Sequence, residues 1–177
     1  MDSVTFYDSG MALMRGNGDL KSALGSMLPI VAQLANSNGA SLFITDESEK
    51  TLKPLVTYGL PKSYVDLCGF VRIGEQCCGR AVKERKLWIV SDMLNDPLFA
   101  SGRKAAAETV IRAAFSMPVI LNDGSCVGSL ACHYKRPYTP TEENLAVNRT
   151  WASLMAHTLS RYRGTHIEPP LQKASGY

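Results

Sequence analysis

The spacing of apolar residues changes at Gly39, and that change commits the chain to a fold in which helices pack on a sheet. Before it, Leu20, Leu24, Met27, Leu28, Val31, Leu34 and Ala35 recur at helical spacing. They predict a helix that opens at Asp19 as N-cap, bends at Pro29 and ends at Asn38-Gly39. After it, Ala40 to Thr45 reads as a strand with both faces apolar, Asp46 to Lys50 as a polar turn, and Leu52 to Tyr58 as the second arm of a hairpin.

The remaining pattern alternates short pieces of both kinds. Pro61 opens a short helix through about Cys68, and Gly74 to Val82 is a turn feeding another. Leu87 to Val90 is a brief strand, Asp96-Pro97 is a helix start, and Lys104 to Thr109 is rich in alanine. Arg112 to Leu121 and Cys126 to Tyr134 form a hairpin around Asp123-Gly124. Thr139-Pro140-Thr141-Glu142 opens a long last helix, with Thr139 as cap and Glu142 closing a capping box. Leu145, Trp151, Leu154, Met155, Thr158, Leu159 and Tyr162 make its broad stripe. The expected class is therefore α+β: an antiparallel-dominated sheet, the long N- and C-terminal helices on one face, and the short helices over a ligand pocket on the other. Residues 1–18 are expected to be a loose lead-in, 19–163 the folded domain, and 164–177 a tail or linker.

Composition narrows the function classes. With 177 residues, 45% of them hydrophobic and 20% charged, the chain suits one ordinary domain. A net charge of +3, with no run of five or six Lys and Arg, carries no footprint for nucleic acid. No apolar run approaches the length of about 20 residues needed for a membrane span. Cysteines 68, 77, 78, 126 and 132 are odd in number, and no leader of charged and then apolar residues precedes them. They are read as reduced thiols in a cytoplasmic protein.

Several pieces, in order, carry a family resemblance: Gly39-Ala40-Ser41-Leu42-Phe43-Ile44, Gly74-Glu75-Gln76-Cys77-Cys78-Gly79-Arg80-Ala81-Val82, Val90-Ser91-Asp92, Asp96-Pro97, Ala113 to Val119, Gly128-Ser129-Leu130-Ala131, and Tyr134 to Pro137 before Thr139-Pro140. From about Leu20 to Tyr162 the chain resembles a GAF domain, the small-molecule and cofactor-binding module of bacterial signalling proteins. The best-matching subgroup accompanies histidine kinases, diguanylate cyclases and PAS domains, where the module senses and another domain acts.

That resemblance implies a pocket walled by the first strand, the Cys77-Cys78 turn, the Asp96 to Thr109 helix and the start of the Arg112 hairpin. Phe43, Trp88, Phe99 and Phe115 are its candidate apolar walls, Cys77 and Cys78 its thiols, and Arg103, Arg112 and Ser116 its polar anchors. A single arginine in such a pocket favours a small anion, for instance nitrate. The alternative is enzymatic: free methionine-(R)-sulfoxide reductases are GAF proteins, and Cys78 is similar to a cysteine of theirs. The stretch Gly79 to Ile111 holds no further cysteine, which argues against a dithiol cycle. Cys132 and His133 are adjacent on a strand, point to opposite faces and cannot share a metal ion, so neither metal nor cofactor is expected. His133 is read as a satisfied or edge-exposed strand residue, and Cys68, Cys126 and Cys132 as packing.

The stripe on the last helix is wider than one sheet face needs. A homodimer through Leu145, Trp151, Leu154 and Leu159 is expected from it. A chain of this length leaves no room for a kinase or cyclase, so output is expected by contact with a histidine kinase or other regulator in trans. A ligand-free interaction module is the third reading.

Overall fold

The computed structural model describes residues 20–46 and 50–166. Its elements in chain order are α1 (Leu20–Leu34), β1 (Gly39–Asp46), β2 (Thr51–Tyr58), α2 (Lys62–Cys68), β3 (Val71–Arg72), α3 (Gln76–Glu84), β4 (Trp88–Val90), a 3-10 helix (Pro97–Gly102), α4 (Arg103–Glu108), β5 (Ala113–Ile120), β6 (Cys126–Tyr134) and α5 (Glu142–His166). The expected cap at Asp19 and the 1–18 segment lie outside the described residues, as does the tail beyond residue 166. The last helix runs past the expected boundary at residue 163.

Two hairpins, β1–β2 and β5–β6, lie side by side through antiparallel pairing of β1 with β6. With β3 and β4 at the edges, the order is β3-β2-β1-β6-β5-β4, antiparallel throughout. Gly128 allows the β1–β6 contact: a Cβ there would strike the carbonyl of Phe43. The α+β class and the antiparallel sheet follow the expectation.

The long helices cover one face. Leu24, Met27, Leu28 and Val31 of α1 are fully buried and pack with Leu42, Phe115 and Leu130 of the sheet and with Trp151 and Met155 of α5. The end of α1 is tied to the start of α5 through one carbonyl, that of Ala35, which accepts from Tyr134 Oη at 2.8 Å and from Asn144 Nδ2 at 3.1 Å. Orphan carbonyls at a helix terminus need such partners when they are buried.

Both caps of the long helices differ from expectation. Helix α1 ends in a Schellman arrangement, with Ser37 N donating to Ala32 O at 2.8 Å and Asn36 N to Gln33 O at 3.1 Å. Asn36 takes the left-handed position, at φ 50°. Asparagine tolerates that region well enough to replace glycine. Gly39, expected at the stop, is instead in β1, where a Cβ would come within 2.6 Å of the Tyr58 carbonyl. At α5 the capping pair is Thr141 and Asn144: Thr141 Oγ1 accepts from Asn144 N at 3.3 Å, and Asn144 Oδ1 accepts from Thr141 N at 3.0 Å. Thr139 and Glu142 do not form it, because buried Asn144 already bonds Ala35 and Tyr138 and so sets where the helix begins.

The expected dimer stripe is spent inside the subunit. Leu145, Trp151 and Leu154 are 7, 4 and 7% exposed, and Leu159 packs against the same core. The outward positions of α5 are polar or small: Glu142, Glu143, Ala146, Arg149, Thr150, Ser153, His157 and Arg161. The stripe is broad because α5 packs against β5, β6 and α1 together, and up to residue 161 its outward positions are polar or small. Among the described residues no helix is long and apolar enough to cross a membrane.

Candidate functional site

Strand alternation gives the sheet two different faces. On β6, Leu130, Cys132 and Tyr134 join the core under the long helices, while Ser129, Ala131 and His133 face α2, α3 and α4. On β5 the corresponding inward residues are Ala114 and Ser116, and on β1 they are Ser41 and Phe43. Register sets them in rows: Ser41, Ala131, Ser116 and Trp88 stand opposite one another across four strands. The floor under the short helices thus combines small and hydroxyl-bearing side chains with Phe43, His133 and, at its edge, Trp88.

Helix α3 lies on this floor because its approach is glycine-controlled. Gly74, at φ 97°, makes the turn and donates to Gly79 O at 2.8 Å. Gly79 presses against β3, where a Cβ would strike the carbonyl of Arg72. The helix then buries Cys77, Cys78, Ala81 and Val82. Cys77 Sγ donates to the carbonyls of Trp88, at 3.4 Å, and Ala114, at 3.6 Å. Burial first, then neighbouring Cys78 and Asp96, pushes its thiol well above the usual range. Cys78 packs with Phe43, Val82 and Ala131. Burial raises its thiol too, while Ser129 and Ser116 approach closely enough to oppose that rise.

Helix α2 supplies Tyr64 and Cys68. Burial raises the Cys68 thiol to about 11, against a bond from Tyr64 that lowers it. The Tyr64 ring meets His133 edge-on at 5.6 Å. His133 Nε2 and Ser41 Oγ are 2.8 Å apart, and burial pulls the imidazole down to about 4, so it is neutral near pH 7. Three polar atoms of this face, Ser116 Oγ, Ser129 Oγ and His133 Nδ1, are buried without a well-formed hydrogen bond, the two hydroxyls lying beside the Cys78 thiol. Each such group costs about 1–3 kcal/mol when left unsatisfied.

The expected site residues divide. Phe43, Cys77, Cys78, Phe99 and Ser116 are buried on the short-helix side, with Trp88 half-buried at its β4 edge. Arg80 of α3 lies over the Trp88 ring, 5.3 Å from its centroid, with Nε buried and unpartnered. Phe115 is on the other face, stacked 5.9 Å from Tyr134, because it alternates with Ser116. Arg112 is bound to Asp92 by both Nε and Nη2, at 3.2 and 2.8 Å to Oδ1. That contact, together with bonds from Leu94 and Asn95, holds the Asp92 carboxyl below its usual range. Arg103 is exposed and donates to the Asp96 carbonyl at 3.2 Å. Neither of these two arginines is a free anchor. Residues not expected at the site are Ser41, Tyr64, Cys68, Ser129 and His133. Their signal is the small-or-polar alternation at Ser129, Ala131 and His133 against Leu130, Cys132 and Tyr134. A separate open cleft of about 300 Å³ is lined by Asn36, Asn38, Tyr134, Lys135, Arg136 and Tyr138. No cluster of three or more His, Cys, Asp or Glu suited to a metal occurs among the described residues.

A sheet flanked by two long helices on one side and by a glycine-set thiol helix on the other is matched at family level: the model of the GAF domain covers residues 19–159. The chain belongs to the GAF domain family. Solved structures agree in fold. The GAF domain of a phosphoenolpyruvate-protein phosphotransferase from Coxiella burnetii superposes with a TM-score of 0.77 at 19% identity, over 92% of this chain and 95% of that one. A domain of a putative two-component sensor histidine kinase from Sinorhizobium meliloti gives 0.69 at 17%, over 85% and 97%. The free methionine-R-sulfoxide reductase of Neisseria meningitidis, solved with its substrate, gives 0.72 at 16%, over 89% of each. A GAF fold is thus compatible with sensing and with catalysis, and the residues must decide.

Proposed function

We propose that this GAF domain senses a small molecule held between the Ser41–Ser116–Ser129–His133 face of the sheet and helices α2, α3 and α4. The observation that carries the reading is the gathering of three buried polar atoms without a well-formed hydrogen bond, Ser116 Oγ, Ser129 Oγ and His133 Nδ1, on that one face. Native proteins leave few such atoms without a reason, and a ligand that bonds to them supplies one. Output passes by contact between this domain and a signalling protein or domain. A histidine kinase fits that role, since one fold neighbour is a domain of a putative sensor kinase. Five free cysteines suit a reducing, cytoplasmic setting.

The sulfoxide reductase reading draws on the fold neighbour and on the position of Cys78. Two observations weigh against it. Burial raises the Cys78 thiol, whereas a nucleophilic cysteine needs a lowered one. The 3-10 helix and α4, which cap the site, carry no cysteine, so the thiols near Cys78 are Cys68 of α2 and the vicinal Cys77, both raised by burial.

Native mass spectrometry of the chain purified without denaturation is expected to find a small molecule bound. After unfolding, dialysis and refolding, that mass is lost and the melting temperature falls. Identical mass and melting temperature before and after the cycle would sink the sensing reading.

A further inference from the structure

We propose a second site on this domain: the cleft at the end of α1 binds a small phosphorylated organic molecule, its phosphate held by Lys135, Arg136 and the amides of Asn36 and Asn38. The proposal does not rest on the sensing reading, since none of the cleft's residues belongs to the short-helix face. At about 300 Å³ the cleft stands at the lower end of the sizes that hold small molecules.

Its frame is fixed by backbone bonds. Asn36 holds the left-handed position, at φ 50°, that closes α1. Asn38 clamps the end of β6 twice: its N donates to His133 O at 2.9 Å, and its Oδ1 accepts from Lys135 N at 2.9 Å. Tyr134 and Tyr138 stack with ring centroids 4.0 Å apart and donate their hydroxyl protons elsewhere, to Ala35 O and Asn144 Oδ1. With those protons engaged, the two rings are the apolar part of the lining.

The rest of the lining donates. Neighbouring residues on a straight strand point to opposite faces. Lys135 and Arg136 follow the end of β6 at Tyr134, in a bend, and so both reach the same cleft. Both are exposed, and among the described residues neither side chain has an ion pair. No carboxylate lines the cleft. Asn38, with Oδ1 engaged, has Nδ2 left to give, and exposed Asn36 adds a second amide.

Two cations side by side match a dianion best. A phosphate monoester carries about −1.5 to −2 charges near pH 7 and three strong acceptor oxygens, which a carboxylate does not match in charge or in number. The guanidinium fork takes two of those oxygens and the ammonium another. Because both cations stand in solvent, the contact is screened by salt and the affinity is modest, in the millimolar range. The tyrosine rings give the organic body a surface that bare phosphate does not use. The site abuts the joint between the long helices, since Tyr134 bonds the end of α1 and Tyr138 bonds Asn144 at the start of α5.

Amide-resolved NMR titrations of the full chain at low salt compare phenyl phosphate, inorganic phosphate and benzoate. Phenyl phosphate is expected to shift the amides of Asn36, Asn38, Lys135 and Arg136 together. Inorganic phosphate should bind more weakly at the same residues, and benzoate weakest of the three. Added sodium chloride should release them all. The Lys135→Gln/Arg136→Gln variant should bind phenyl phosphate about tenfold more weakly. It is expected to keep its fold, because Lys135 meets Asn38 through its backbone N, and an unchanged spectrum away from the cleft checks this. Benzoate or inorganic phosphate binding as tightly as phenyl phosphate, shifts confined to the short-helix side, or undiminished binding by the variant overturns the proposal. So does a preference for an acidic peptide or an oligonucleotide that small phosphates do not displace. None of these outcomes touches the sensing reading, which the co-purified mass tests separately.

Discussion

His133 is where burial and chemistry collide most sharply. The imidazole is 3% exposed, pairs with Ser41 through Nε2 and is pulled down to about 4. An unfolded histidine accepts a proton below about 6.5. Between those two values the unfolded chain binds a proton that the folded chain refuses, so stability rises with pH across that window and falls on acidification through it. The loss should reach roughly 3 kcal/mol once pH is below both values. Asp92 has the same sign in a lower window: its lowered carboxyl contributes stability that persists until pH falls below the usual carboxylate value and is lost on further acidification. Urea midpoints taken near pH 7 and near pH 4.5 should therefore differ markedly for the native chain and much less for His133→Gln. A pH profile unchanged by the substitution would argue that His133 takes up its proton in the fold as readily as in the unfolded chain. The residue-level signal was on view in the alternation of β6. It could not be read alone, because adjacent Cys132 is apolar in behaviour and β6 is buried on both faces, so neither side was marked as solvent.

At the scale of the element, α3 shows how a motif can be legible while its chemistry is not. Gly74 and Gly79 stand out in the sequence, and both serve backbone needs, a positive φ at the first and a close approach to Arg72 at the second. Whether the intervening cysteines were reactive depended on what covered them. Cys77 and Cys78 are 3 and 6% exposed, with thiols raised by burial. Aromatic disulfide reagents at about pH 8 are expected to modify half-buried Cys126 first in the native chain, with Cys77 and Cys78 reacting only as fast as α3 opens, at least a hundredfold more slowly than in urea. Peptide mapping after timed quenching reads this, and rapid native labelling of Cys78 would restore weight to the reductase reading. The caps follow the same rule. Thr141 was present in the sequence beside Thr139, but the choice between them was made by Asn144 and its bond to Ala35, a residue 109 positions away.

For the molecule as a whole, the face that the short helices do not cover holds the larger apolar core. Trp151 belongs to a core shared by α1, α5 and the sheet. Trp151→Ala should therefore cost about 3–5 kcal/mol, as for other buried aromatic truncations, and lower the melting temperature. Its sedimentation coefficient in the folded state should match that of the native chain. A Trp151→Ala protein of undiminished stability that sediments as a smaller species would instead place the residue between subunits. The two faces also divide the labour of the fold: the helix side supplies continuous apolar burial, and the short-helix side carries the polar atoms whose cost that burial offsets.

Local spacing fixed the order and type of the elements, the two hairpins, the thiol turn and the class of fold, because periodicity and turn chemistry act over a few residues. Which face each strand turned to the pocket was decided only in three dimensions. The same is true of the pairing of Arg112 with Asp92, the loss of Phe115 to the opposite core and the enclosure of the α5 stripe within one subunit. Each of these depends on partners far apart in the chain, and burial, which sets both the charge of His133 and the silence of the thiols, exists only once those partners have met.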